Sequence, residues 1–88
     1  MKIHVKLFAT IARRVSGPIL ARYPQGIRAG SPLEVELPES STLADLVAHL
    51  GLTREELKLT FVNGRAQELE YHLVPGDEVG IFPPVGGG

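Results

Sequence analysis

The sequence contains no cysteine. That absence excludes disulfides, thiolate metal sites, a cysteine nucleophile and any persulfide held on a side chain. It also lacks an excess of charge of either sign: nine Lys and Arg face ten Asp and Glu, for a net charge of −1. Such a balance gives no overall electrostatic footprint for nucleic acid or an anionic membrane surface. No apolar run is long enough to span a bilayer, and no charged start leads through an apolar stretch to a small-residue cleavage site. The expected compartment is therefore the cytoplasm. With 88 residues there is room for one domain. A chain of this size buries only about 60–65% of its unfolded surface, so the core is thin. The apolar fraction of 43% and the charged fraction of 22% suit a folded domain rather than a disordered chain.

What is present alternates between two periods. Ile3, Val5 and Leu7 alternate with His4 and Lys6, which predicts a strand with the apolar set inward. Ile11 and Val15, four residues apart, predict a short helical turn. Residues 17–32 are then broken by Gly17, Pro18, Pro24, Gly26, Gly30 and Pro32, yet carry Ile19, Leu20, Tyr23 and Ile27. So long an irregular stretch is unusual in a small domain. It reads either as a flap packed over one end of the core or as a loop that contacts a partner. Leu33, Val35 and Leu37 alternate with Glu34 and Glu36, a second strand that Pro38 ends.

Leu43, Leu46, Val47 and Leu50 share one helical face. Ser41 or Thr42 is placed to cap that helix, with Asp45 three residues after Thr42 as an imperfect capping box, and Gly51 suits the left-handed position after it. Thr53 and Glu56 predict one more helical turn. Leu57, Leu59 and Phe61 alternate with Lys58 and Thr60, and Val62 follows, which predicts a third strand. Asn63-Gly64 is the strongest short hairpin signal, returning through Arg65 to Gln67. Val74-Pro75-Gly76-Asp77 reads as a type II turn into a last strand of Val79, Gly80, Ile81 and Phe82. The order predicts an α+β architecture: one mixed sheet of four to five strands packed on one main helix. The body spans residues 1–82 and a tail spans residues 83–88. If the last strand lies beside the first, the tail leaves from one pole.

The tail reads Phe82-Pro83-Pro84-Val85-Gly86-Gly87-Gly88. The prolines cannot donate to a ladder and hold an extended course, and the glycines lack a Cβ. A stiff stalk followed by a bare strip suits threading into a narrow channel, where the α-carboxylate of Gly88 arrives first. Together with Lys6-Leu7-Phe8-Ala9, Ser41-Thr42-Leu43-Ala44-Asp45-Leu46, Phe61-Val62-Asn63-Gly64 and Pro75-Gly76-Asp77-Glu78-Val79, this ending resembles the MoaD/ThiS group of β-grasp, ubiquitin-like sulfur carriers. That group includes the small subunit of molybdopterin synthase and the thiamine-pathway carrier. The Pro-Pro-Val ending leans toward the molybdopterin branch, while residues 17–32 form a longer insert than the group's pattern.

The resemblance implies a protein co-substrate rather than an enzyme by itself. An adenylating partner of the ubiquitin-activating type would use ATP and Mg²⁺ to activate the Gly88 carboxylate. A sulfur donor would then leave a thiocarboxylate, and a molybdopterin synthase large subunit or equivalent acceptor would receive the sulfur in molybdenum or tungsten pterin synthesis. Gly88 is the implied reacting residue. Gly87 and Gly86 give clearance, and Val85, Pro84, Pro83 and Phe82 position the tail and supply apolar docking surface. No cofactor or metal is expected on the chain itself, and neither nucleic acid nor membrane among its partners. Three alternatives stay open: the thiamine pathway, a ubiquitin-like modifier joined to target lysines, and a non-reactive β-grasp binding domain.

Other chemistry-bearing residues read as scaffold. His4, His49 and His72 lack ligand spacing, with His4 and His49 on expected solvent faces. Glu55-Glu56 and Asp77-Glu78 read as helix-surface charge and a solvated turn rather than an acid/base pair. No glycine pattern leads into a helix to cradle a phosphate. Arg13-Arg14 reads as a surface or docking contact.

Overall fold

A computed structural model describes residues 1–84. Five strands and one α-helix occur in the order β1 (Lys2–Leu7), β2 (Pro32–Glu36), α1 (Leu43–His49), β3 (Leu59–Val62), β4 (Arg65–Ala66) and β5 (Glu78–Phe82). The sheet runs β2-β1-β5-β3-β4. Only β1 and β5 are parallel, paired from His4↔Glu78 to Leu7↔Ile81; the other neighbours are antiparallel. Mixed pairing with one helix across one face is the β-grasp arrangement, as the sequence predicts.

Alternation decides the core face. Ile3, Val5 and Leu7 of β1, Leu33 and Val35 of β2, and Val79 and Ile81 of β5 are buried, and they join Leu43, Leu46, Val47 and Leu50 of the helix in one cluster. Each such side chain contributes about 1.5–3 kcal/mol by leaving water. The helix begins as expected: Asp45 N–H donates to Thr42 Oγ1 at 3.2 Å and Thr42 N–H donates to Asp45 Oδ2 at 2.9 Å. It ends at Gly51, whose φ is +72° and where an added Cβ would lie 2.8 Å from the Ser16 carbonyl oxygen. Thr53 and Glu56 form a second capping box on the 3-10 turn Arg54–Glu56.

The third strand forms as predicted, and its faces are set by the fold: Leu57 packs against the core ahead of β3, while within the strand Thr60 and Val62 are buried and Leu59 is 46% exposed. Thr60 fits the interior because its hydroxyl donates to the Gln67 carbonyl at 2.7 Å. Phe61 lies on the outer face, where other rings await it. Asp77 is a correction. It is no solvated turn residue but 4% exposed. Its Oδ2 accepts from Val74 N–H and its Oδ1 from the Asn63 amide, both at 2.9 Å, so burial costs no hydrogen bond. The two turns it joins have the predicted forms, with positive φ at Asn63, Gly64 and Gly76.

The stretch between β1 and β2 holds two 3-10 turns, Ala9–Arg13 and Pro18–Arg22. Ile19 is buried, Tyr23 and Ile27 pack against the core and Leu20 is 39% exposed, so most of the insert is a flap. Gly30 N–H donates to the Leu7 carbonyl at 2.7 Å. Glu34 N–H, on the outer edge of β2, donates to the Tyr23 hydroxyl at 3.1 Å. The flap thus occupies a donor on an edge that would otherwise be free to pair with another strand.

Candidate functional site

Parallel pairing of β1 with β5 brings their C-terminal ends to one pole. Phe8 N–H donates to the Ile81 carbonyl at 3.0 Å, and Lys58 N–H donates to the Phe82 carbonyl at 2.8 Å. Pro83 follows at once and has no N–H to extend the ladder. Phe82 and Pro83 are half-buried and Pro84 is exposed. Of the expected site residues, Val85, Gly86, Gly87 and Gly88 lie outside the described residues.

On the outer face of the sheet, away from α1, three rings gather at this pole. Phe8 stacks on Phe82 with centroids 4.3 Å apart and planes within 4°. Phe61 meets Phe82 edge-on at 5.6 Å and 80°. Such pairs contribute about 0.5–1.5 kcal/mol beyond area burial. Gly80 lies beneath the stack: it sits between Lys6 and Phe61 in the register, and a Cβ there would lie 3.4 Å from the Phe8 ring and 3.7 Å from the Phe82 ring, in van der Waals contact with both.

The rings and their neighbours line an open groove of about 640 Å³, with His4, Lys6 and Glu78 adding polar atoms to it. An apolar centre with a charged rim is the composition of a protein-binding surface. Its rings cannot make or break bonds, and the groove lies beside the point where Pro83 leaves β5.

Phe82 was legible as part of the site. Phe8 and Phe61 were not: Phe8 directly follows a strand and Phe61 belongs to an apolar alternation that imitates a core face. The available signal was Val62, since a strand burying Val62 must turn Phe61 outward. The remaining candidates stay apart. His4 lies in the groove, His72 Nδ1 lies 3.3 Å from the Ser40 carbonyl, and His49 ends α1. Among the described residues no group of three or more His, Asp or Glu is placed to hold a metal ion, and no helix is long and apolar enough to cross a membrane.

Comparison with known proteins places this geometry. The model of the ThiS family matches residues 22–88. No curated protein matches significantly. The crystal structure of SAMP1 from Haloferax volcanii is 25% identical and superposes with a TM-score of 0.66 over 100% of both chains. A second structure, of the H. volcanii small archaeal modifier protein 1, is 21% identical, with a TM-score of 0.65 over 96% of this chain and 98% of that one, and speaks to the fold alone. A Pyrococcus furiosus protein described as molybdopterin converting factor, subunit 1, is 28% identical, with a TM-score of 0.64 over 96% of this chain and 98% of that one. With most of its length matched by the family model and its whole fold shared with these structures, the chain belongs to the ThiS family, within the MoaD/ThiS group of ubiquitin-like sulfur carriers.

Proposed function

We propose that this protein carries sulfur as a thiocarboxylate on Gly88 and delivers it to a pterin precursor of a molybdenum or tungsten cofactor. The observation that carries the reading is the tail. A ThiS-family fold runs from β5, beside an aromatic groove, into Pro83-Pro84, and the sequence continues through Val85 to three glycines. The chemistry needs a partner. A carboxylate is a poor electrophile, so one Gly88 oxygen attacks the α-phosphorus of ATP, bound with Mg²⁺ by the partner, and pyrophosphate leaves. A sulfur nucleophile then attacks the acyl carbon and AMP leaves with the oxygen, giving the thiocarboxylate. With no cysteine in the chain, no side chain offers an alternative carrier atom. The relative from P. furiosus, described as a molybdopterin converting factor subunit, supports the pterin branch and a large-subunit partner.

The test is mass spectrometry after incubation with the activating enzyme, ATP, Mg²⁺ and a sulfur donor. The expected result is the mass of one oxygen-to-sulfur exchange, placed on Gly88 by fragmentation. A variant with one residue added after Gly88 should stay unloaded, because a shift of about 1 Å can cost on the order of 10²-fold in rate. Loading of the extended chain with its extra residue attached would overturn the proposal.

A second reading, a ubiquitin-like modifier, is favoured by the full-length likeness to SAMP1. Both readings share the adenylate and diverge at the attacking nucleophile, sulfur or a target lysine. Accumulation of isopeptide-linked conjugates in place of the thiocarboxylate would select the modifier. Sulfur transfer to a thiazole rather than a pterin precursor would select the thiamine pathway.

A further inference from the structure

The near-neutral net charge conceals a partition. Six of the nine Lys and Arg, and none of the ten Asp and Glu, precede Glu34. The fold turns this partition into a polarity along the strands. The stretch joining β1 to β2 leaves at Leu7 and returns at Pro32 opposite Lys6, so it lies at the pole from which the tail departs. Ser16 N–H anchors it to the Leu50 carbonyl, at the C-terminal end of α1. It presents Arg13, Arg14, Arg22 and Arg28, all exposed. Arg14 pairs with Glu56 at 3.6 Å, whereas Arg13, Arg22 and Arg28 make no ion pair with the described residues. Glu55 and Glu56 also reach this pole, where Glu56 is taken by Arg14 of the insert and by the Thr53 N–H. The other pole, where β1 and β5 begin and β2 ends, carries Glu36, Glu39, Asp45, Glu78 and the buried Asp77, with Lys2 and the N-terminal ammonium among them and the ammonium paired with Glu36.

We propose that Arg13, Arg22 and Arg28 form a docking surface for a carboxylate-rich patch of the activating enzyme, beside the channel that receives the tail. This inference rests on the function proposed above and adds to it the surface and the charge of the partner. Position supports a shared partner, since the insert that carries the arginines leaves and rejoins the sheet at the pole where β5 ends. Residue type supports carboxylates, because a guanidinium pairs with them in a bidentate fork.

Magnitudes favour a compact acidic protein patch over nucleic acid. Five strand residues separate the poles by about 17 Å, roughly two Debye lengths at physiological salt. A local patch therefore feels the arginines with little opposition from the far carboxylates, whereas an extended polyanion reaches both. Three arginines also fall short of the roughly 6–10 phosphate contacts that give strong, salt-dependent nucleic-acid binding. The polarity orients encounter so that the tail's pole arrives first.

The experiment measures adenylation kinetics of the full chain with its activating enzyme at low and physiological salt. Arg22→Glu combined with Arg28→Glu should raise KM about 10-fold at low salt, change kcat by less than about twofold, and flatten the salt dependence. The same pair changed to Gln should lie between, and serves as the test if the Glu pair fails to fold by its urea midpoint. Glu39→Lys at the opposite pole should leave KM within about twofold. Unchanged KM in the Arg variants with normal wild-type loading would overturn this inference alone. So would an equal KM rise for Glu39→Lys, or tighter binding of a random-sequence single-stranded RNA than of the enzyme. A wild-type chain that is never adenylated would overturn the proposed function, and this inference with it.

Discussion

The Phe8 ring lies flat on the Phe82 ring, 4.3 Å away, which locks the residue after the first strand to the last residue of the fifth. Both rings are half-buried, so one side of the pair faces the strands and the other faces the groove. The stack therefore belongs both to the fold and to the groove surface, and substitutions test whether that surface contacts the activating enzyme.

Phe8→Ala removes a half-buried ring and its stacking partner. The expected loss is about 1–3 kcal/mol, below the cost of a fully buried Phe. The variant should remain folded at room temperature, yet show a raised KM with the activating enzyme. Urea denaturation and loading kinetics on one preparation check both. A normal KM would show that the groove does not contact the enzyme.

Asp77→Ala leaves Val74 N–H and the Asn63 amide without their acceptor at part-buried positions, so the loss should fall at the low end of the cost of a buried donor. A buried donor left unsatisfied costs about 1–3 kcal/mol. Asp77→Asn keeps an acceptor oxygen and should cost less. Comparing the denaturation midpoints of the two variants tests whether the hydrogen bonds, rather than the volume, hold the two turns together.

Leu46→Ala hollows the centre of the core, where Leu46 is fully buried. Such a change costs about 2–5 kcal/mol, a large share of the roughly 5–15 kcal/mol typical of a whole domain. A denaturation midpoint equal to the wild type would contradict the helix register.

Removing residues 86–88 should do the reverse. Every core residue among those described lies at or before Ile81, so the midpoint should move by less than about 0.5 kcal/mol. Loading with sulfur should disappear entirely. Retained loading would remove Gly88 from the reaction.

Much of the fold was legible because its signals are local. The alternation of Ile3, Val5 and Leu7, the helical spacing of Leu43, Leu46, Val47 and Leu50, the Thr42–Asp45 box and the Asn63-Gly64 turn each rest on residues a few positions apart. Their physics is steric and short-ranged, so a single chain segment carries the whole message. The ordered set of motifs likewise carried the family.

What tertiary structure decided depends on which distant segment comes alongside. Thr60 is inside and Leu59 outside because β3 lies between β5 and β4, where Thr60 finds the Gln67 carbonyl; period two alone is symmetric between the faces. Asp77 is buried because Asn63, fourteen residues away, meets it, a contact no local pattern encodes. Phe8, Phe61 and Phe82 become one surface only when β1, β3 and β5 are neighbours. The sequence by itself determined that basic residues come first and acidic ones later. Parallel pairing of β1 with β5 decided that the start of the basic insert and the end of the last strand share a pole, because a parallel pair places the exits of both strands on one side.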